Sequence, residues 1–139
     1  MSIDLFRDAV KRGVRVRVMV AGSSNDTLVT RLNSGRLYGA LLDAGVHVFE
    51  YNRTMMHYKT MVVDGLWSTV GTTNFDIRSF SHNEENNVCA CYEGLAAELT
   101  QSFERDIALC DVVTLDAWKR RPLPLKTAEA LASFVQDQV

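Results

Sequence analysis

The 139-residue chain has the size of one domain, and its 47% hydrophobic content is sufficient for a buried core. Its 15 lysines and arginines against 17 aspartates and glutamates give a formal net charge of -2. This balance argues against a globally basic nucleic-acid-binding protein, although it permits a local cationic pocket.

Cysteine usage and hydropathy indicate the redox compartment and the solubility expected of the chain. Cys89, Cys91 and Cys110 are an odd number of cysteines, and the first two lie in an apolar run, so we expect a reducing compartment and buried thiols. A thiol or metal site is the alternative, but no CxxC, HxxxH or HExxH spacing accompanies these cysteines and the histidines. No apolar stretch approaches the roughly 20 residues that span a bilayer, so the chain as given is expected to be soluble.

The first half of the sequence alternates between helical and strand-like patterns. Apolar residues at helical spacing predict a helix over residues 3–12, which ends at Gly13. Alternating valines over residues 14–20 predict a strand with one apolar face. A second helix is predicted over residues 27–44 and a second strand over residues 46–51. This alternation is typical of a layered α/β fold.

The second half begins with a strand-like run that ends in the turn dipeptide Asp64-Gly65, which predicts a β-hairpin. The elements predicted in this half are strands over residues 56–63, 66–70 and 87–92, a loop over 71–86, a helix over 95–110, a basic connector over 118–126 and a final helix over 127–139. The connector fits either a solvated helix end or a segment that rests on anionic headgroups.

His57 and Lys59 stand two residues apart in a predicted strand. Residues at this spacing project from the same face, so an imidazole and an ammonium share one site. Two cationic groups repel unless an anion lies between them, and a phosphate diester fits that role. Taken alone, such a pair is more often an ordinary surface pair.

Two downstream features are in keeping with phosphate chemistry. The loop over residues 71–74 contains a glycine for close backbone approach, two threonine hydroxyls and the carboxamide of Asn74. Glu85 supplies a carboxylate that can accept from one imidazole nitrogen and leave the other nitrogen free to attack phosphorus or deliver a proton.

Together these residues match the H-x-K-x-x-x-x-D and G-[S/T]-x-N signature of the phospholipase D superfamily, called the HKD motif below. Residues 57–65, 70–80 and 83–86 resemble the second such motif of bacterial-type cardiolipin synthases. The resemblance implies an α/β fold with a mixed sheet flanked by helices. It also implies that residues 1–139 are a single HKD half-domain, the second repeat of a two-repeat enzyme, truncated at its N-terminus.

The resemblance further implies a two-step phosphotransfer without metal or cofactor. His57, Lys59, Asp64 and Glu85 form the implied catalytic set, with His57 as nucleophile or general acid and Glu85 orienting the histidine. Lys59, Thr72 and Asn74 are implied to bind the substrate phosphate. Asp64 also suits a structural role, since an aspartate in a hairpin turn commonly bonds backbone amides.

The implied substrate is a phospholipid similar to phosphatidylglycerol, at a membrane surface on the cytoplasmic face. The implied partner is a second HKD motif, from a preceding half or from another copy of the chain. Two alternatives remain open. One is a homodimeric phosphodiesterase that cleaves lipids or nucleic acids. The acidic balance of the chain argues against nucleic acids as its substrate. The other is an inactive fragment that serves as a phosphate-binding module.

Overall fold

The computed structural model describes residues 2–22, 37–74 and 84–122. The chain forms two compact units, of which the first comprises Met1–Met56 with Leu109–Val139 and the second His57–Ala108. The predicted helix over residues 127–139 and the start of the predicted helix over 27–44 lie outside the described residues. That residues 1–139 act as one domain stays a prediction.

In chain order the described elements are α1 (Ser2–Lys11), β1 (Arg17–Ala21), α2 (residues 37–43), β2 (His47–Tyr51), β3 (Thr60–Val63), β4 (Trp67–Gly71), β5 (Asn87–Cys91), α3 (Glu93–Ile107), β6 (Asp111–Val113) and α4 (Leu115–Lys119). The strands form two three-stranded sheets with the orders β1-β2-β6 and β3-β4-β5.

The sheet of the first unit is mixed, because β2 pairs in parallel with β1 and antiparallel with β6. Its buried core consists of Leu41, Ala44, Val46 and Val48. Apolar residues of α1 pack against this core, and so do the alternating valines of β1, as their period-2 pattern predicted. The prediction of a mixed α/β fold is therefore confirmed.

Two glycines follow the helices α1 and α2 of the first unit. Gly13 follows α1 with φ 89, and Gly45 follows α2 with φ 82. Both values lie in the left-handed region, which glycine enters without the steric cost that a Cβ imposes. At Gly45 a Cβ would also lie 2.9 Å from Val10 Cγ1 of α1. The predicted stop at Gly13 is confirmed.

The second unit is an antiparallel sheet against which α3 packs. Among the residues of this unit that the structure describes, Ser68 of β4 and Ala96 of α3 are fully buried. The predicted hairpin is confirmed: Asp64 and Gly65 have φ 52 and 66, and Leu66 N donates to Val63 O at 3.1 Å. Positive φ at both central residues matches the right-handed twist of the flanking strands.

Several sequence-based boundaries were wrong. The third strand begins at Thr60 rather than at residue 56, and α3 ends at Ile107. Neither β6 nor α4 was predicted, and Trp118, assigned to a connector, lies in α4. Thr114 caps this short helix, because its Oγ1 accepts from Ala117 N at 3.3 Å.

The expectation of buried thiols was also wrong for Cys89 and Cys91, which are both exposed, while Cys110 is half-buried. The two exposed cysteines occupy alternate positions of β5, so they share the sheet face opposite Ala90. Among the described helices, none has the length and hydrophobicity of a bilayer-spanning segment.

Candidate active site

Three chain segments meet at one end of the β3-β4-β5 sheet. The pairing of Thr60 with Val70 continues beyond β3, because Gly71 N donates to Lys59 O at 3.1 Å. On the other side Gly71 pairs with Asn87. Lys59, just before β3, therefore forms one row with Gly71 of β4 and Asn87 of β5, and antiparallel partners in such a row project from the same face. This row is the frame of the candidate site.

His57 and Lys59 contact each other directly. Lys59 Nζ lies 2.5 Å from His57 Nε2, with the histidine exposed and the lysine half-buried. An ammonium group has only donors, so in this contact Lys59 Nζ is the donor and His57 Nε2 the acceptor. The two side chains thus lie together on one side of the chain, as their spacing of two residues predicted. Both residues precede β3, however, and do not lie within it.

Thr72 joins the loop over residues 71–74 to the segment before β5. Its hydroxyl donates to Glu85 Oε2 and accepts from Asn86 N at 3.0 Å. The backbone adds a third bond, from Thr72 N to Asn86 O at 3.0 Å. The hydroxyl proton is therefore engaged by the carboxylate of Glu85, and Thr72 acts here as an anchor of the loop.

Gly71 is required by the close approach of its neighbour in the row. A Cβ at this position would overlap Asn87 Oδ1 and the backbone oxygen of Asn86. The same Asn87 oxygen accepts from Thr73 N at 3.3 Å. A side chain at position 71 would therefore push Asn87 away from the loop that it supports. Sequence reasoning missed Asn87, for which the one cue was a polar residue at the start of a predicted strand.

The other proposed site residues occupy two different places. Asn74 is exposed and lies in the same loop as Gly71, so it belongs to the site end of the sheet. Asp64 lies at the opposite end of β3 from Lys59, exposed in the hairpin turn. The five residues from Lys59 to Asp64 correspond to roughly 16 Å of extended chain, so Asp64 is beyond contact with Lys59 and with His57, which lies two residues further away. The structure thus gathers His57, Lys59, Thr72, Asn74 and Glu85 at one end of the sheet and separates Asp64 from them.

Comparisons with known proteins identify the family of the chain. The family model described as "Cardiolipin synthase, PLD-like domain" matches residues 2–107. A cardiolipin synthase of Clostridium perfringens (strain SM101 / Type A) is 31% identical over 133 residues, which cover 96% of this chain and 28% of that protein. Cardiolipin synthase A of Proteus mirabilis is 36% identical over 126 residues, or 91% of this chain and 26% of that protein.

A solved structure shares the fold. Nuc from Salmonella typhimurium, a phospholipase D family member, superimposes with a TM-score of 0.66 at 19% identity, over 81% of this chain and 72% of that one. The chain thus spans little more than a quarter of the curated relatives, but most of this solved chain. Since the family model covers most of the sequence, the chain belongs to the cardiolipin synthase, PLD-like domain family.

Proposed function

We propose that this chain supplies one of the two HKD motifs of a phosphatidyltransferase of the cardiolipin synthase type. The observation that carries the proposal is the 2.5 Å contact between Lys59 Nζ and His57 Nε2 at the end of the β3-β4-β5 sheet. A phosphodiester that binds Lys59 through a non-bridging oxygen brings its phosphorus next to the same ring nitrogen.

The reaction has two steps, and His57 is either the nucleophile or the general acid. In the first step one imidazole nitrogen attacks phosphorus, the bond to the leaving oxygen breaks, and the histidine of the other motif donates a proton to that oxygen. In the second step an acceptor hydroxyl attacks the phosphohistidine and gives its proton to the second histidine. The phosphorus–nitrogen bond then breaks, which restores both imidazoles.

The remaining site residues stabilise negative charge on the phosphate or keep the loop of the site in position. Lys59 stabilises the negative charge that builds up on the non-bridging oxygens, and Asn74 adds a neutral donor. In acyl transfer, one preorganised donor of this kind contributes about 3–4 kcal/mol to transition-state stabilisation. Thr72 contributes by fixing the loop, through its bonds to Glu85 and Asn86, in the row that holds Lys59. Glu85, which accepts from Thr72, is the residue that we propose to orient a histidine of the assembled site.

A phospholipid diester is the proposed substrate, in line with the curated relatives, which are cardiolipin synthases. The second HKD motif comes from the part of a longer protein that these relatives possess, or from another copy of the chain. Membrane association on the cytoplasmic face belongs to the same proposal. The net charge of -2 supports a lipid over a nucleic acid, whose phosphate-tracking partners usually present a basic surface.

Reconstitution tests the proposal. The chain is joined to the first-motif half of the Proteus mirabilis cardiolipin synthase A, and phosphatidylglycerol vesicles are assayed for cardiolipin and free glycerol. The native two-motif enzyme is the positive control. We expect cardiolipin from the joined protein, at least a thousandfold less from His57→Ala, and no loss from His47→Ala, since His47 is exposed on β2 of the first unit. Cardiolipin formation by His57→Ala would refute the proposal.

A second candidate is a homodimeric phosphodiesterase. It is favoured by the structural match to Nuc, a phospholipase D family member. This chain covers 72% of the Nuc chain, so the two chains are of similar size. Size-exclusion chromatography at micromolar concentration and hydrolysis of bis(p-nitrophenyl) phosphate separate the two functions. A dimer that hydrolyses the diester without any added half supports the second candidate. A monomer without hydrolysis eliminates it.

A further inference from the structure

The carboxamide of Asn87 is bonded on one side and open on the other. Its Oδ1 accepts from Thr73 N at 3.3 Å. A backbone N–H can only donate, so the oxygen is the atom that faces Thr73 and the amide nitrogen Nδ2 takes the other side of the group. Among the residues that the structure describes, no hydrogen bond engages Nδ2. Asn87 is also exposed, so a ligand can reach this donor.

The same carboxamide leans over β4, the strand that separates Asn87 from Lys59. A Cβ at Gly71 would overlap Asn87 Oδ1, so the oxygen occupies the space that a side chain of β4 would fill. Gly71 is the middle member of the row that contains Lys59, and neighbouring strands are about 4.8 Å apart. Lys59 and the Asn87 carboxamide are therefore neighbours on one face, with no side chain of the row between them.

The bond to Thr73 directs the carboxamide toward the end of the sheet that holds His57. Thr73 lies two residues after Gly71, and His57 lies two residues before Lys59. Because β3 and β4 are antiparallel, these two steps lead beyond the row in the same direction. The carboxamide thus leans from the Lys59 row toward the level of the imidazole.

A phosphodiester beside Lys59 needs donors in addition to the ammonium group. Its non-bridging oxygens share a negative charge that requires stabilisation throughout the transfer, and preorganised donors supply it. The Thr72 hydroxyl, which the sequence implied as a phosphate ligand, gives its proton to Glu85 instead. The site can therefore use a further donor on the face of Lys59, and Asn87 Nδ2 is of this kind.

We propose that Asn87 is a further substrate-binding residue of this site. Its Nδ2 donates to a non-bridging oxygen of the phosphodiester that Lys59 binds, while its Oδ1 holds the loop through Thr73 N. Asparagine suits both roles, because its carboxamide contains an acceptor and a donor. The inference rests on the proposed function, since it requires a phosphodiester beside Lys59.

Side-chain amide resonances test this role directly. The full ¹⁵N-labelled chain is titrated with dimethyl phosphate at constant ionic strength. The Asn87 Nδ2 signals, assigned through their correlation with the Asn87 Cβ, are followed together with the His57 ring nitrogens. We expect both to shift saturably with the same affinity. The side-chain amide of Asn52, which donates to Asp111 within the first unit, is the internal control and should not shift.

Two aspartate variants separate the lost donor from the added charge. Asn87→Asp keeps an acceptor for Thr73 N, so exchange protection of the Thr73 amide should be unchanged. We expect this variant to bind dimethyl phosphate about tenfold more weakly or worse, the loss expected for one hydrogen bond to a charged group. Asn86→Asp adds the same charge at the neighbouring residue, whose side chain projects from the other face of an extended segment, and should weaken binding less than about threefold.

The outcomes distinguish this inference from the proposed function. A saturable His57 shift without an Asn87 shift, or unchanged affinity in Asn87→Asp, leaves the phosphodiester site intact and overturns the role of Asn87. Equal weakening by the two aspartate variants overturns it as well, because charge alone then accounts for the loss. If neither His57 nor Asn87 responds, the proposed function fails together with the inference. Should Asn87→Asp lose its dispersed spectrum, the Asn87 amide shift in the parent chain decides the question.

Discussion

Gly71 N donates a 3.1 Å hydrogen bond to the carbonyl oxygen of Lys59. This bond joins the His57 and Lys59 segment to the loop over residues 71–74, although β3, a hairpin turn and β4 separate them along the chain. Because Gly71 also pairs with Asn87, one row of the sheet fixes the register of all three segments of the candidate site. The site thus depends on hairpin geometry as much as on the catalytic residue types.

Substitution of Gly71 by alanine is expected to destabilise the chain and loosen the site. The added methyl group overlaps Asn87 Oδ1 and Asn86 O, and overpacking of this kind costs about 1–3 kcal/mol. Urea denaturation measures the loss, and amide exchange at Thr73 measures the release of its bond to Asn87. The control is Gly13→Ala, which meets no atom within 4 Å and carries only the strain of its positive φ. Unchanged Thr73 protection in Gly71→Ala would contradict this view.

The Thr72 hydroxyl is expected to act as a structural anchor. Thr72→Val keeps the shape but removes both the bond to Glu85 and the bond from Asn86 N. At an exposed position we expect a loss of about 1–2 kcal/mol of unfolding free energy, against less than about 0.5 kcal/mol for Thr72→Ser. Chemical denaturation of the three proteins side by side gives these values. Equal stability of the valine and serine variants would show that the hydroxyl bonds contribute nothing.

Asp64 is expected to act through its backbone conformation. Its φ of 52 is tolerated by asparagine and strongly disfavoured for a β-branched residue. Asp64→Asn should therefore stay within about 0.5 kcal/mol of the parent, whereas Asp64→Val should lose about 1–2 kcal/mol. In the reconstituted assay Asp64→Asn should also keep its activity. A stable Asp64→Asn protein that is inactive would assign the carboxylate to the chemistry instead.

Ser68 is expected to be a position where alanine stabilises the fold. Its side chain is only 1% exposed, and its hydroxyl has no hydrogen-bond partner in the structure. A buried hydroxyl without a partner costs about 1–3 kcal/mol, so Ser68→Ala should raise the unfolding free energy by about 1 kcal/mol. The melting temperature should rise with it. A destabilised alanine variant would mean that the hydroxyl has a partner, such as an ordered water.

Local patterns predicted much of this fold. The stop at Gly13 and the turn at Asp64-Gly65 follow from backbone preferences that glycine and aspartate carry with them. The shared side of His57 and Lys59 follows from the period of an extended chain. These features need no knowledge of distant neighbours, which is why the sequence was sufficient for them.

Features that arise from tertiary pairing could not be predicted in this way. Strand β6 has only three residues, and its strand conformation depends on pairing with β2. Trp118 contacts Tyr38, a residue far away in the sequence. Because such a contact leaves no local pattern, Trp118 was assigned to a connector. Asn87 likewise becomes relevant only when the register places it beside Gly71.

The most direct test of the central claim is a titration of the imidazole resonances of the ¹⁵N-labelled chain with a simple diester, dimethyl phosphate. If His57 and Lys59 share a phosphodiester site, the His57 ring nitrogens shift saturably, those of His47 do not, and Lys59→Met abolishes the shift without unfolding the protein. Equal responses of His57 and His47, or a His57 shift that survives Lys59→Met, would contradict the account.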